Sequence, residues 1–293
     1  VPDVRRVVVP MLVSGATLQA AYVAWQVASG LDWQGPRVVG ALGNAAMYFY
    51  IPALVGGLLL LAQPNWLSRA LALPGVLTLA LTIGVLRSRS LWVGAVVGLT
   101  VMFLLRSRRR WQGVVGAALL MGLLAVSYRE GWLPFAIEER ITAMLAPSEA
   151  IYLVYRQDVV RVLWHDFVQS PIIGFGVGQS WTLLPPHLVE GKVDAVHNVV
   201  IHALYETGLV GAMGVLSLPV VAIRAWRRAR RVGGADDRWI ADWALASFAG
   251  MYAAVQFTPT MYDHTAFLLL ALLAATADAP VRDASGAPAV VPT

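Results

Sequence analysis

The feature that most constrains this chain is a succession of long stretches without a single charged side chain. Val7–Gly30, Val38–Ser68, Ala70–Leu86, Ser90–Leu105 and Trp111–Tyr128 follow one another with only short polar breaks. A helix needs about 20 mainly apolar residues to cross the hydrocarbon of a bilayer, with about 17 as the lower limit. After a long polar interruption come Thr207–Ile223, extended upstream by the mostly apolar Ala195–Glu206, then Trp243–Tyr262 and the shorter Thr265–Ala277. The pattern predicts an all-α polytopic transmembrane helix bundle of about eight spans. Residues 1–278 read as a single transmembrane domain, and 279–293, rich in Ala, Pro and Asp, as a disordered tail. The first run is too long for a secretory signal and lacks a small-residue cleavage site, so it counts as a span. The chain starts on Val rather than Met, which leaves room for further helices upstream.

Composition closes off the alternatives. Charged residues make up 13% of the chain, against about 25% in soluble domains. Hydrophobic residues reach 58% and the mean hydropathy is +0.65. Such a chain cannot cover a water-facing surface, which excludes a soluble globular enzyme. Without cysteine there is neither a disulfide framework, nor a thiolate metal site, nor a cysteine nucleophile. The net charge of +5 does not point to nucleic acid, because the arginines clump beside apolar runs, at Arg106 to Arg110 and Arg224 to Arg231. That is the pattern of cytoplasmic loops under the positive-inside rule. With the N-terminus inside, fourteen Lys and Arg fall on the cytoplasmic side and eight on the other. The expected location is the cytoplasmic (inner) membrane, multi-pass, with residues 129–196 forming a long, partly helical extracytoplasmic loop.

A loop of that length carries a reason with it. Ser148 to Ser170 is amphipathic, with Ile151, Tyr155, Val159, Leu163 and Phe167 at helical spacing, a potential N-cap in Ser148 and a stop at Ser170-Pro171. It reads either as a helix on the membrane surface or as a lid or wall over an outer-face site.

Three groups of polar residues sit where a membrane makes them expensive. Arg87-Ser88-Arg89-Ser90 ends the third run; Arg87 suits interfacial anchoring, while Arg89 precedes Leu91-Trp92 at the mouth of a helix pair. Arg156 lies in Tyr155-Arg156-Gln157-Asp158, where the plain reading is a surface charge beside Asp158. His197-Asn198 opens the sixth helix, with Glu206 nine residues on from His197 and Gly208 and Gly211 beyond. Glu206 falls roughly 13 Å down the helix from His197, at a depth where an acid marks a functional site or bonds to a neighbouring helix. A neutral histidine can take a proton from a hydroxyl nucleophile. Gly174, Gly176 and Gly178 suggest half of a dinucleotide fingerprint, but the third glycine is misplaced and no strand–helix unit follows, so the segment reads as a tight turn. His165, His187, His202 and His264 show no metal-binding spacing, and no metal or cofactor is expected.

Together these stretches resemble the O-antigen ligase and Wzy-type polymerase family of bacterial envelope glycan proteins. Arg37-Val-Val-Gly-Ala-Leu-Gly-Asn44 is similar to the family's Arg-x-x-Gly-x-x-x-Asn start of a span, and Ser88-Arg89-Ser90-Leu91-Trp92 to its Ser-Arg-Gly/Ser motif. Arg156, Trp164, Pro171, Gly174 and Gly176 follow its Arg…Trp…Pro-x-x-Gly-x-Gly segment. His197-Asn198 with Leu204, Glu206, Gly208 and Gly211 follows its His-Asn…Glu-x-Gly-x-x-Gly segment. The resemblance covers roughly residues 37 to 215, and its specific part is the order of the motifs around the outer loop. Eight spans are fewer than the family's usual ten to twelve.

The resemblance implies a metal-independent glycosyltransferase that takes a glycan from a polyprenyl-diphosphate-linked (undecaprenyl-type) donor on the outer face and passes it to a lipid or glycan acceptor. By motif position Arg89 and Arg156 would grip the diphosphate and His197 would activate the acceptor hydroxyl, with Asn198 and Glu206 in supporting roles. The chemistry agrees. Charge grows on the bridging oxygen as the C–O bond breaks, and guanidinium groups at a low-dielectric interface stabilise it through bidentate bonds. The competing readings are a non-catalytic transporter of the same lipid-linked substrate and a degenerate family member. Against transport, the chain shows no inverted repeat, and its polar residues gather at the outer face instead of the midplane.

Overall fold

A computed structural model describes residues 4–29, 49–63, 66–85, 89–106, 159–179, 198–257 and 264–277. Among these the chain is all-helical, without strands. The long helices are α1 (Val4–Ala28), α2 (Tyr50–Leu61), α3 (Trp66–Val85), α4 (Arg89–Arg106), α5 (Val199–Val232), α6 (Ala235–Ala254) and α7 (His264–Ala277). Residues 159–167 are also helical, and Val255–Phe257 form a short 3-10 turn after α6. Among the described residues α5 is the one helix long and apolar enough to cross a membrane outright; shorter apolar segments are Val7–Val23, Tyr50–Leu61, Ser68–Ala80 and Ser90–Arg106. The expected fifth span, Trp111–Tyr128, and most of the loop 129–196 lie outside the described residues.

Boundaries differ from the run pattern for local reasons. The uninterrupted run Val38–Ser68 is divided in two, α2 ending at Leu61 and α3 beginning at Trp66, with Gln63-Pro64-Asn65 between them in the sequence. Pro cannot extend the helix before it. At the other end α6 starts at Ala235, eight residues ahead of the apolar run, where Asp237 caps the turn by accepting the Gly234 N–H at 3.2 Å.

The core is built around α2, which packs against α1, α3, α4 and α6. Tyr50 through Gly57 are all buried, and two glycines let neighbours close in. A Cβ on Gly56 would meet Val9 at 2.8 Å and one on Gly57 would meet Val76 at 2.6 Å. On α1, Val9, Val13, Ala16, Ala20 and Val23 face inward at alternating spacings of four and three. Trp243 is fully buried and donates its indole N–H to the Pro52 carbonyl at 2.9 Å. The tightest crossing joins α4 to α6: a Cβ on Gly94 would lie 2.7 Å from the Gly250 carbonyl, and one on Gly98 would lie 3.2 Å from that of Ala246. Small residues at four-residue spacing are how helices approach closely where hydrocarbon offers no hydrophobic drive.

This crossing fixes relative direction. Gly94, near the start of α4, meets Gly250 and Ala254 near the end of α6, while Arg106 at the end of α4 reaches Asp242 near the start of α6. α5 behaves the same way. Its start contacts Gln256 just beyond α6, and its Trp226 and Arg230 reach Asp242. Both helices therefore run antiparallel to α6 and parallel to each other, so Arg89 and Asn198 stand at the same end of the bundle.

Candidate functional site

Asn198 holds the start of α5. Its side-chain oxygen accepts the backbone N–H groups of Val200 and Ile201, both at 3.0 Å, satisfying two donors that a helix start leaves open. Its amide nitrogen donates to the Gln256 carbonyl at 3.4 Å, tying α5 to the turn that follows α6. Two turns further, Glu206 is buried at 1% exposure and its carboxylate stands 2.9 Å from Nε2 of His202, itself 2% exposed. The four-residue spacing puts the two side chains on one face. A buried carboxylate needs such partners to offset lost hydration.

Immediately after Glu206 the helix breaks. Gly208 has φ 64° and ψ −160°, outside helical space, and the helix resumes beyond it. A break between Glu206 and Leu209 frees two carbonyls, of Tyr205 and Glu206, and two N–H groups, of Leu209 and Val210, that a continuous helix would have joined. All four are taken up by the loop 171–176. Phe175 N–H donates to the Tyr205 carbonyl at 3.0 Å and Gly176 N–H to that of Glu206 at 2.8 Å. In return the Pro171 carbonyl accepts from Leu209 N–H at 2.8 Å, and that of Ile172 from Val210 N–H at 3.3 Å. Backbone groups freed inside an apolar helix need protein partners, and here the loop supplies them.

The glycines make the approach possible. Gly174 has φ 68°, and a Cβ there would come within 2.6 Å of the Glu206 carbonyl oxygen and the Gly208 nitrogen. A Cβ on Gly208 would collide with the backbone of Ile172. Ser170 closes the loop by donating its hydroxyl to the Gly174 carbonyl at 2.8 Å. Beneath it, Val159, Leu163 and Tyr205 are buried together, and the Phe175 ring stacks on Tyr205 at 5.0 Å. The helical residues 159–167 are thus packed onto the first half of α5, and the helix ends at Phe167, three residues before the stop expected at Ser170-Pro171.

Residues 74–216 match the family model described as O-antigen ligase. That stretch is similar to O-antigen ligase domains, and the likeness points to glycan transfer of that type in a membrane setting. No curated protein matches the chain. Within the matched stretch, the Pro-x-x-Gly-x-Gly and Glu-x-Gly-x-x-Gly segments are one physical object, a loop plugged into a broken helix. The turn expected at Gly174, Gly176 and Gly178 is confirmed by positive φ at all three; its docking onto α5 is what sequence reading missed.

Of the expected site residues, Asn198 and Glu206 share the first half of α5. Arg89 is the first residue of α4, placed by its backbone at the same end of the bundle as Asn198. Arg156 and His197 lie outside the described residues. His202, set aside in the sequence for want of metal-ligand spacing, emerges as the partner of Glu206. Its signal was the His-x-x-x-Glu spacing on one helix face.

Proposed function

We propose that this chain transfers a glycan from a polyprenyl-diphosphate-linked donor to an acceptor hydroxyl, of a lipid or another glycan, at the outer face of the cytoplasmic membrane. The observation that carries this reading is the joint of loop 171–176 with the break at Gly208, inside the matched stretch. It fixes residues 171–176, part of the stretch expected on the outer side, against the helix that Asn198 caps. The parallel course of α4 and α5 adds support, because it brings the start of α4, with Arg89, to that same end.

Each residue then has a task. The acceptor oxygen attacks the anomeric carbon while the bond from that carbon to the diphosphate oxygen breaks, and the electron pair leaves on the diphosphate. Arg89 and Arg156 stabilise the charge that develops there through bidentate hydrogen bonds. His197 takes the proton from the attacking hydroxyl, a contribution of about 10²–10⁴ in rate. Asn198, next to His197 in the sequence, holds the helix start, and Glu206 with His202 sets the turn above the break. A single displacement inverts the anomeric centre. No step calls on a metal. The chain in this reading spans the membrane about eight times with its N-terminus cytoplasmic.

The test supplies a polyprenyl-diphosphate glycan to membranes containing the wild type or Arg89→Ala, Arg156→Ala or His197→Ala. A fall in transfer of about a hundredfold or more is expected for each, with wild-type transfer unchanged by a chelator. Undiminished transfer in all three variants, or a product with retained anomeric configuration, would overturn the mechanism.

A further inference from the structure

The exposed side of α5 changes its chemistry abruptly. Between Leu209 and Ile223 it shows large apolar side chains, among them Met213, Leu216 and Val220. From the next residue it shows Arg224, Arg227, Arg228 and Arg231, all exposed. Their spacing of three, four and seven residues from Arg224 places them on one helix face, over a rise of about 10 Å. The sequence has no acidic residue between Thr207 and Gly234. The fifth arginine of the run is used differently: Arg230 reaches Asp242 at 3.4 Å and lies over the Trp226 ring at 5.6 Å. The run thus holds one arginine that joins α5 to α6 and four more spaced along one exposed face.

On a helix long and apolar enough to cross a membrane, an exposed face that passes directly from aliphatic to guanidinium groups marks the depth where hydrocarbon gives way to headgroups. Guanidinium forks match phosphate oxygens in pairs, and a cluster of four to eight basic residues beside a span is the pattern that attracts anionic lipid. We infer that Arg224, Arg227, Arg228 and Arg231 form a binding face for the phosphodiester headgroup of an anionic phospholipid, such as phosphatidylglycerol, in the leaflet at that end of α5. The face lies at the opposite end of α5 from Asn198 and Glu206, so it is separate from the transfer site.

The test reconstitutes the full chain in phosphatidylcholine vesicles and measures, by spin-label spectroscopy, how strongly it immobilises trace phosphatidylglycerol relative to trace phosphatidylcholine. Wild type should prefer phosphatidylglycerol, and 0.5 M salt should erode the preference. Arg227→Gln alone should weaken it by up to about fivefold, the fourfold Gln variant should abolish it, and the fourfold Lys variant should keep most of it. Equal immobilisation of both lipids by wild type would overturn the inference. So would displacement of the lipid by an equal concentration of soluble glycerophosphoglycerol, which would make the ligand a free phosphodiester, or a preference untouched by Arg227→Gln. Should the fourfold Gln variant fail to insert, the single variant and the wild-type salt titration still decide.

Discussion

Gly208 bears the sharpest local constraint in the described chain. Its positive φ is strained for any other residue, and the space a Cβ would take is occupied by the Ile172 backbone. Gly208→Ala is expected to destabilise the joint by roughly 2 kcal/mol or more. The measurement is limited proteolysis within 159–179 alongside thermal unfolding in detergent. Cleavage there should accelerate before the bundle melts, and an unaltered cleavage rate would contradict the geometry. The His202–Glu206 pair makes a second claim at this scale. His202→Ala leaves a buried carboxylate without one of its partners, at a cost of about 1–3 kcal/mol. His202→Gln, which can still donate, should recover much of the loss in both stability and transfer. Equal behaviour of the two variants would mean that the pair is not held by its hydrogen bond.

Asp242 dominates at the scale of elements. It is 4% exposed, accepts the Trp226 indole N–H at 2.8 Å, and has Arg230 and Arg106 at 3.4 and 3.8 Å. Three helices, α4, α5 and α6, are joined through one carboxylate. The two arginine side chains are 39% and 42% exposed, so solvent screens their attraction; the Trp226 hydrogen bond is the firmer link. Asp242→Asn, which keeps an acceptor for Trp226, should therefore melt close to the wild type. Asp242→Leu should melt lower by several degrees, a difference that thermal unfolding in detergent would read. None of these partnerships was visible in the sequence, because Arg106 and Asp242 come together only when α4 packs on α6. The helices themselves were legible, since charge-free runs demand burial or lipid: the expected Thr265–Ala277 corresponds to His264–Ala277. The break in α5 was not, because Gly208 falls inside the charge-free run from Thr207 to Ile223 and a lone glycine does not announce a kink.

For the molecule as a whole, direction is the property that connects parts to function. The ends of α4 and α5 that carry Arg89 and Asn198 lie opposite the ends that carry Arg106 and Arg230. Charge counting assigns the former to the outside, and the chain's lack of cysteine offers a clean check. Val177→Cys and Arg227→Cys, each at an exposed position, should react with a membrane-impermeant maleimide from opposite sides of sealed cells, Val177→Cys from the outside. Labelling of both from one side would refute the spanning arrangement of α5. The candidate site was legible as a set of motifs in a given order, and their clustering on α5 followed from Asn198 and Glu206 sharing a helix. Its construction was not, because main-chain hydrogen bonds between residues thirty or more positions apart leave only glycine and proline as a trace in the side-chain pattern.

The joint between residues 171–176 and the break in α5 is written almost entirely in main-chain atoms. Exchange of Ile172, Phe175, Leu209 or Val210 for other apolar residues leaves its four bonds in place. Adding or removing one residue on either side shifts the donors out of step with their acceptors and strands them in an apolar setting. Evolution can therefore rewrite the letters of this passage far more readily than its length, and gaps among relatives should fall outside both stretches.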